Sequence, residues 1–199
     1  VTDANGCTVT KTYTITEPTA LTISGTPTNV LCNGQNNGEL DITVDGGTLN
    51  YAYAWTTLDG SGLDANTEDQ TGLTAGTYTV TATDQNSCTI TAEYTITEPD
   101  VLAIAKTLTN VVCNGDDNGA IDVTVSGGTT AYTYAWTTSD GSGLVAADAD
   151  QTGLGPGTYN LTVTDANSCT TTGSYTITEP DELLIAYDDL PTAILCYDG

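Results

Sequence analysis

An all-β chain of tandem β-sandwich domains is the fold class that this 199-residue sequence predicts. Three observations predict it: a gapless internal repeat of 81 residues, runs of alternating apolar and polar residues inside each repeat, and Gly- and Asn-rich turn signals between the runs.

The repeat is read from fixed landmarks. Cys7, Cys88 and Cys169 are spaced by 81 and 81, as are Pro18, Pro99 and Pro180, and Cys32 and Cys113, like Trp55 and Trp136, stand 81 apart. Aligning 21–100 on 102–181 gives 52 identities in 80 positions. The chain therefore divides into the C-terminal end of one repeat (1–19), two complete repeats (20–100 and 101–181) and the start of a fourth (182–199). The last join is longer by two residues, since Glu179 to Cys196 spans 17 positions and Glu98 to Cys113 spans 15. A unit this long exceeds the roughly 20–50 residues of a solenoid repeat and falls in the size range of an autonomous domain. Sandwiches in series, forming an extended rod, are the expected arrangement, with neighbouring repeats of the same chain as the first partners.

Inside one repeat the period is 2. In 39–44, Leu40, Ile42 and Val44 share one face of a strand and Glu39, Asp41 and Thr43 the other. Tyr51, Tyr53 and Trp55 line one face of the next run, Tyr78, Val80 and Ala82 that of 77–83, and Ile90, Ala92, Tyr94 and Ile96 that of 89–97. The punctuators NGQNNG (33–38), DGG (45–47), DGSG (59–62), TAG (74–76) and DQNS (84–87) lie between them. No run has a 3.6-residue period, so helix is not expected. Strands are predicted over 21–32, 38–45, 50–57, 76–84 and 88–97, with two weakly written ones in 60–72. Short strands, a Trp in the middle strand and about 80 residues per unit specify an immunoglobulin-like sandwich. Trp55 and Trp136 are its expected core residues. Tyr78 and Tyr159, in GLTAGTY and GLGPGTY, open the penultimate strand, where a buried tyrosine hydrogen-bonds nearby backbone in such folds.

Charge excludes several functions. With 26 Asp plus Glu against 2 Lys plus Arg the net charge is −24, spread along the chain rather than gathered in a tail. Phosphate neutralisation needs Lys and Arg, so nucleic acid is not a partner, and anionic lipid surfaces are repelled. No run approaches the roughly 18 apolar residues of a membrane span. The sequence opens without an initiator Met or a signal peptide, and the expectation is a mature segment exported by information outside it. Catalysis is not expected: there is no His, and the only cations, Lys11 and Lys106, lie outside the repeated pattern.

The ordered elements CNG-x-x-NG (32–38 and 113–119), GGT, Y-x-Y-x-W, GL-x-x-G-T-Y, TD-x-N-S-C and YTITEP resemble the SprB-type repeat of Bacteroidetes surface proteins, over the whole chain. The resemblance implies a non-catalytic repeat of a large cell-surface adhesin or filament. It implies export by the type IX route, display outside the outer membrane and a gliding-motility context. Surface polysaccharide or substratum are the partners this context implies. A carbohydrate-binding module using exposed Tyr rows is the alternative reading. The Thr ladder at Thr8, Thr10, Thr12, Thr14 and Thr16 reads as an ordinary solvated β face.

Two sites follow from the residues themselves. Glu98, Asp100, Asp165 and Asp59 are candidate oxygen ligands for calcium at the junction between repeats. The competing reading makes Asp84 and Asp165 turn formers in their TD-x-N segments, and no D-x-[DN]-x-[DN]-G loop exists. Six cysteines without C-x-x-C spacing predict disulfides in an oxidising compartment. Cys32 and Cys113 follow the first strand of a repeat, and Cys7, Cys88 and Cys169 follow the penultimate one. A Cys32–Cys88 bridge would have to span roughly 25–30 Å along the strands, whereas a disulfide holds its Cα atoms about 4.4–6.8 Å apart. The expected link is therefore Cys32 with Cys169 of the next repeat, leaving Cys7, Cys88, Cys113 and Cys196 to partners outside this sequence. A different strand order would restore Cys32 with Cys88.

Overall fold

The computed structural model describes residues 1–185. Among them there is no helix, and the chain divides into two compact units, Val1–Glu98 and Pro99–Gly199. The first unit contains β1 (Thr22–Thr28), β2 (Gly38–Asp45), β3 (Ala52–Thr57), β4 (Gln70–Leu73), β5 (Gly76–Thr83) and β6 (Thr89–Ile96). The second repeats the order as β7 (Ala103–Thr109), β8 (Gly119–Ser126), β9 (Thr133–Thr138), β10 (Gln151–Leu154), β11 (Gly157–Thr164) and β12 (Thr170–Ile177).

Each unit is a sandwich of two antiparallel three-stranded sheets. In the first, β2 lies between β1 and β4, and β5 lies between β3 and β6. In the second, β8 lies between β7 and β10, and β11 between β9 and β12. This division of strands, first, second and fourth against third, fifth and sixth, is the immunoglobulin-like arrangement with one edge strand missing. Alternation writes it: Leu40, Ile42 and Val44 are buried while Glu39, Asp41 and Thr43 are exposed. The first core gathers Val30, Leu40, Ile42, Trp55, Leu73, Tyr78, Val80 and Ile96. The second gathers their counterparts, from Val111 to Ile177, with Tyr175 buried among them. Trp136 and Tyr175 meet at a tilt, ring centroids 5.7 Å apart, a favourable geometry for an aromatic pair.

The first strand is shorter than 21–32. It stops at Thr28 because the chain there leaves one sheet for the other: Thr97 N–H donates to the Asn29 side chain at 2.9 Å, and Val30 N–H donates to the Thr97 carbonyl at 2.9 Å. Asn110, Val111 and Thr178 repeat the crossing. Pro27, with no N–H to give, is accommodated because β1 is an edge strand.

The weakly written region 60–72 contains one short strand, β4, rather than two. The residues before it form a coil held by Gln70, whose side chain accepts from Asp64 N–H at 2.9 Å and donates to the Asp64 carbonyl at 2.8 Å. That coil covers the outer edge of β3. Trp55 N–H donates to the Ala65 carbonyl at 3.1 Å and its indole N–H to the Thr67 carbonyl at 2.9 Å. Gln151 and Trp136 reproduce both contacts. An edge that would otherwise offer free backbone groups is thereby closed by its own chain.

Candidate functional site

The groups of interest in each unit gather at its two ends. At the leading pole the chain arrives, and Gly47 N–H donates to the Thr19 carbonyl at 2.8 Å. Beside it Asp84, only 5 % exposed, organises the β5–β6 hairpin. One carboxylate oxygen accepts Asn86 N–H at 2.9 Å and Cys88 N–H at 2.8 Å, and the other accepts Thr48 N–H at 2.9 Å. Asp165 makes the same three contacts, each at 2.8 Å, with Asn167, Cys169 and Thr129. The Cys88 N–H, with those of Thr48 and Asn86, holds Asp84 below the ordinary carboxylate range against the opposing effect of burial. For Asp165 the Thr129 amide has the largest effect, followed by Cys169 and Asn167. Gly47 has to be glycine: its φ is +58°, and an added Cβ would lie 2.7 Å from Asp84 Oδ2.

At the trailing pole the chain departs. Glu98 clamps the β1–β2 turn, accepting Gly34 N–H at 2.6 Å and the Asn33 side-chain amide at 3.0 Å. Glu179 accepts Gly115 N–H at 2.7 Å in the second unit. Asp59 caps the start of β5 through Thr77 N–H at 2.8 Å. Asp100 is exposed, and its main-chain carbonyl accepts Gly128 N–H at 2.8 Å. The carboxylates of Glu98, Asp59 and Asp165 thus satisfy backbone amides of their own units, and among the described residues no group of three or more His, Cys, Asp or Glu is arranged to hold a metal ion.

Tyr78 is fully buried at this same pole. Its hydroxyl lies 2.8 Å from the Thr74 carbonyl and accepts Ser61 N–H at 3.2 Å. Tyr159 contacts the Gly155 carbonyl at 2.9 Å and accepts Ser142 N–H at 3.0 Å. Both are tyrosine corners reaching back four residues.

The Tyr rows do not form the exposed platform that a carbohydrate module would use. Tyr51, Tyr53, Tyr132 and Tyr134 are half-buried, and the Tyr51 and Tyr132 hydroxyls donate to the carbonyls of Gly46 and Gly127. Burial raises Tyr53 above the ordinary phenol range, and the Glu68 carboxylate adds to it. Burial also raises Tyr94 and Tyr175. Their inward direction follows from period 2 together with Trp55 and Trp136, both buried in the row.

The cysteines lie at the poles. Cys88 is exposed and borders a groove with Pro18, Thr19 and Leu21 of the arriving segment. Cys113 is exposed and borders one with Pro180, Asp181 and Glu182 of the departing segment. Cys7, Cys88 and Cys113 carry free thiols, whereas Cys32 and Cys169 are disulfide-bonded. Cys196 lies outside the described residues.

The residues that sequence reasoning missed are the polar fasteners: Gln70 and Gln151, Asn29 and Asn110, and Asn37 and Asn118, which accept the N–H groups of Leu31 and Val112. Their signal was recurrence at 81 residues, since each is a polar side chain that keeps its identity between copies.

Fold and poles together define a tandem array of immunoglobulin-like β-sandwich repeats. The family profile of the SprB repeat matches residues 24–60 and 105–141, one match in each complete copy. Each complete copy thus carries a segment that matches the SprB repeat, and disulfide-bonded cysteines accord with an oxidising compartment. No curated protein matches the sequence. Among solved structures it is similar to the C-terminal 282-residue fragment of intimin in complex with the intimin-binding domain of the translocated intimin receptor, at 20 % identity and TM-score 0.44. That match covers 81 % of this chain and 64 % of the intimin fragment. It is also similar to the N-terminal eight Ig domains of Down syndrome cell adhesion molecule, at 11 % identity and TM-score 0.42, covering 82 % of this chain and 25 % of that one.

Proposed function

We propose that the chain is a non-catalytic spacer of a large surface adhesin or filament, holding adhesive contacts away from the outer membrane, in a cell that uses such filaments for gliding. One observation carries the reading. In each unit the chain arrives at the pole of the Asp-organised hairpin, Thr19 meeting Gly47 and Asp100 meeting Gly128, and departs at the opposite pole, where Glu98 and Glu179 clamp the other turn. A domain threaded from end to end adds its whole length to a stalk. The framework residues recur between copies, while the exposed faces carry dispersed negative charge with few cations, a surface suited to solubility and spacing rather than to a cleft.

Small-angle scattering of the 199-residue chain tests it. A compact body of this length has a radius of gyration of about 16 Å. The spacer reading expects more than about 20 Å, and a value near 16 Å refutes it. A defined hit for the same chain on a glycan array would replace spacing by binding as its primary role.

A further inference from the structure

We propose that Asn33–Gly34 and Asn114–Gly115 are latent sites of succinimide formation, held closed by the carboxylates of Glu98 and Glu179. The inference stands on the turns inside each unit and is independent of what the chain adheres to. An Asn–Gly pair is open to this chemistry because glycine puts no side chain in the way of its own nitrogen. That nitrogen sheds its proton to a solvent hydroxide and bonds to the Cγ of the preceding Asn, and the Cγ–Nδ2 bond breaks. Ammonia leaves with a proton taken from water. Water then opens the ring at either carbonyl, giving Asp or isoaspartate, and nothing is oxidised or reduced. The chain has five such pairs, beginning at Asn5, Asn33, Asn37, Asn114 and Asn118, and they are held differently.

Glu98 holds both reacting groups of its site. One carboxylate oxygen accepts Gly34 N–H at 2.6 Å, and the other accepts the Asn33 side-chain amide at 3.0 Å. Attack requires the nitrogen to lose the proton that it gives to Glu98, which would set a second negative charge 2.6 Å from the first. A carboxylate accepts an amide proton in a hydrogen bond but is too weak a base to remove it. Turning the Asn33 amide towards that nitrogen would break the second bond as well. In the second unit Glu179 holds Gly115 N–H at 2.7 Å, while the Asn114 amide donates to the Pro180 carbonyl at 3.1 Å. Asn37 and Asn118 are closed without a glutamate. Their side chains accept Leu31 N–H and Val112 N–H, and the glycines that follow are buried at the start of β2 and β8.

The hairpin tips have no such glutamate, and their sequence differs accordingly. Asn5–Gly6 is exposed, no hydrogen bond among the described residues holds the Asn5 side chain, and Gly6 N–H donates to the Asp3 carbonyl at 3.1 Å. One and two repeats further on, the same positions are Asn86–Ser87 and Asn167–Ser168. Ser87 and Ser168 both take a φ of +67°, a left-handed conformation that glycine adopts more readily than serine. Serine thus crowds the attacking nitrogen at the tips of both complete repeats, against the local backbone preference, whereas Asn–Gly stands where a glutamate covers it. Conversion of Asn33 would add a carboxylate beside Glu98 or, as isoaspartate, lengthen the turn by a backbone carbon, and either product opens the clamp.

Ageing the 199-residue chain in mildly alkaline buffer, with peptide mapping by mass spectrometry, reads all five pairs at once. A hydrogen bond to a charged group that has to break first slows a step by about 10–100-fold. Asn33 and Asn114 should therefore convert at least about tenfold more slowly than Asn5 in the folded chain, and as fast as Asn5 in denaturant. Glu98→Ala should bring Asn33 to the rate of Asn5 and leave Asn37 and Asn114 as in the wild type, and Glu179→Ala should do the same for Asn114 alone. Glu98→Gln, which keeps the size of the side chain without its charge, should speed Asn33 with the same selectivity. Asn33 converting as fast as Asn5 in the folded wild type overturns the proposal. An unchanged Asn33 rate in Glu98→Ala also overturns it, and a slower one would make the carboxylate a base for the reaction instead of a guard. Acceleration of Asn37 as large as that of Asn33 in both Glu98 variants would assign the effect to loss of the fold and overturn the guard.

Discussion

The two tyrosine corners differ in one neighbour, and that difference sets a measurable inequality. In the first unit, Tyr78→Phe removes the hydroxyl but leaves Ser61 N–H bonded to the Thr74 hydroxyl at 2.9 Å and the Ser61 carbonyl bonded to Thr74 N–H at 3.3 Å. Only the Thr74 carbonyl loses its partner. In the second unit the position of Thr74 is taken by Gly155, which has no hydroxyl. Tyr159→Phe therefore strips Ser142 N–H of its acceptor and removes the one hydroxyl proton that the Gly155 and Ser142 carbonyls share. Leaving a buried backbone group unpaired costs about 1–3 kcal/mol, so the first substitution should cost about 2 kcal/mol and the second about 4 kcal/mol. Native-state hydrogen exchange on the whole chain reads each unit separately through core amides of β5 and β11. At about 1.4 kcal/mol per tenfold change, exchange should accelerate about 30-fold in β5 for Tyr78→Phe and about 700-fold in β11 for Tyr159→Phe. Equal accelerations, or a larger one for Tyr78→Phe, would show that the Thr74 hydroxyl gives no support to the corner.

Trp55→Ala should cost about 3–5 kcal/mol from lost packing, and calorimetry should show the first unit's transition lowered or gone. Unchanged melting would place the indole outside the core. Gln70→Leu should leave Asp64 N–H unpaired, with faster exchange across residues 61–69 and a red-shifted Trp55 emission; wild-type exchange there would remove Gln70 as the fastener. Asp84 and Asp165 have folded pKa values below their unfolded ones, so their stabilising effect is full above the ordinary carboxylate pKa and is lost as pH falls through the depressed folded value. Stability measured by denaturation should drop on acidification, and the drop should flatten in the Asp84→Asn, Asp165→Asn double variant, which loses the two titrations; an unchanged acid limb would assign it to other carboxylates.

What was legible in the sequence was whatever repeats with a short period. Leu40, Ile42 and Val44 announce β2 because one face is dry and the other wet, and Tyr78 and Tyr159 announce the corner because their motif is local. Strand β4 was poorly marked because four residues, QTGL, are too few to display alternation, and a bulge at Gly72, where φ is +72°, interrupts its ladder. The end of β1 was hidden for another reason. Asn29 is bound by Thr97, 68 positions away, and no periodicity inside a strand encodes a partner so distant. The four acidic residues assigned to calcium were selected by charge and approximate pole. Composition does not register that Glu98, Asp59 and Asp165 already accept backbone amides.

The Asp-organised hairpin tip is made three times, each time with contacts inside five residues. In residues 1–9, Asp3 accepts Asn5 N–H at 3.0 Å and Cys7 N–H at 2.9 Å, and Asp3 N–H donates to the Cys7 carbonyl at 3.0 Å. A turn that closes on its own five residues is available on the timescale of hairpin formation, about 1–10 μs, before the chain has found contacts 68 positions away. The tips of β5–β6 and β11–β12 are thus the natural starting points of assembly. During synthesis each repeat would present its last hairpin as a preformed template, against which the strands already emerged from the ribosome condense. An array of near-identical neighbours risks strand exchange between copies, and a local nucleus inside every unit favours each repeat folding on itself.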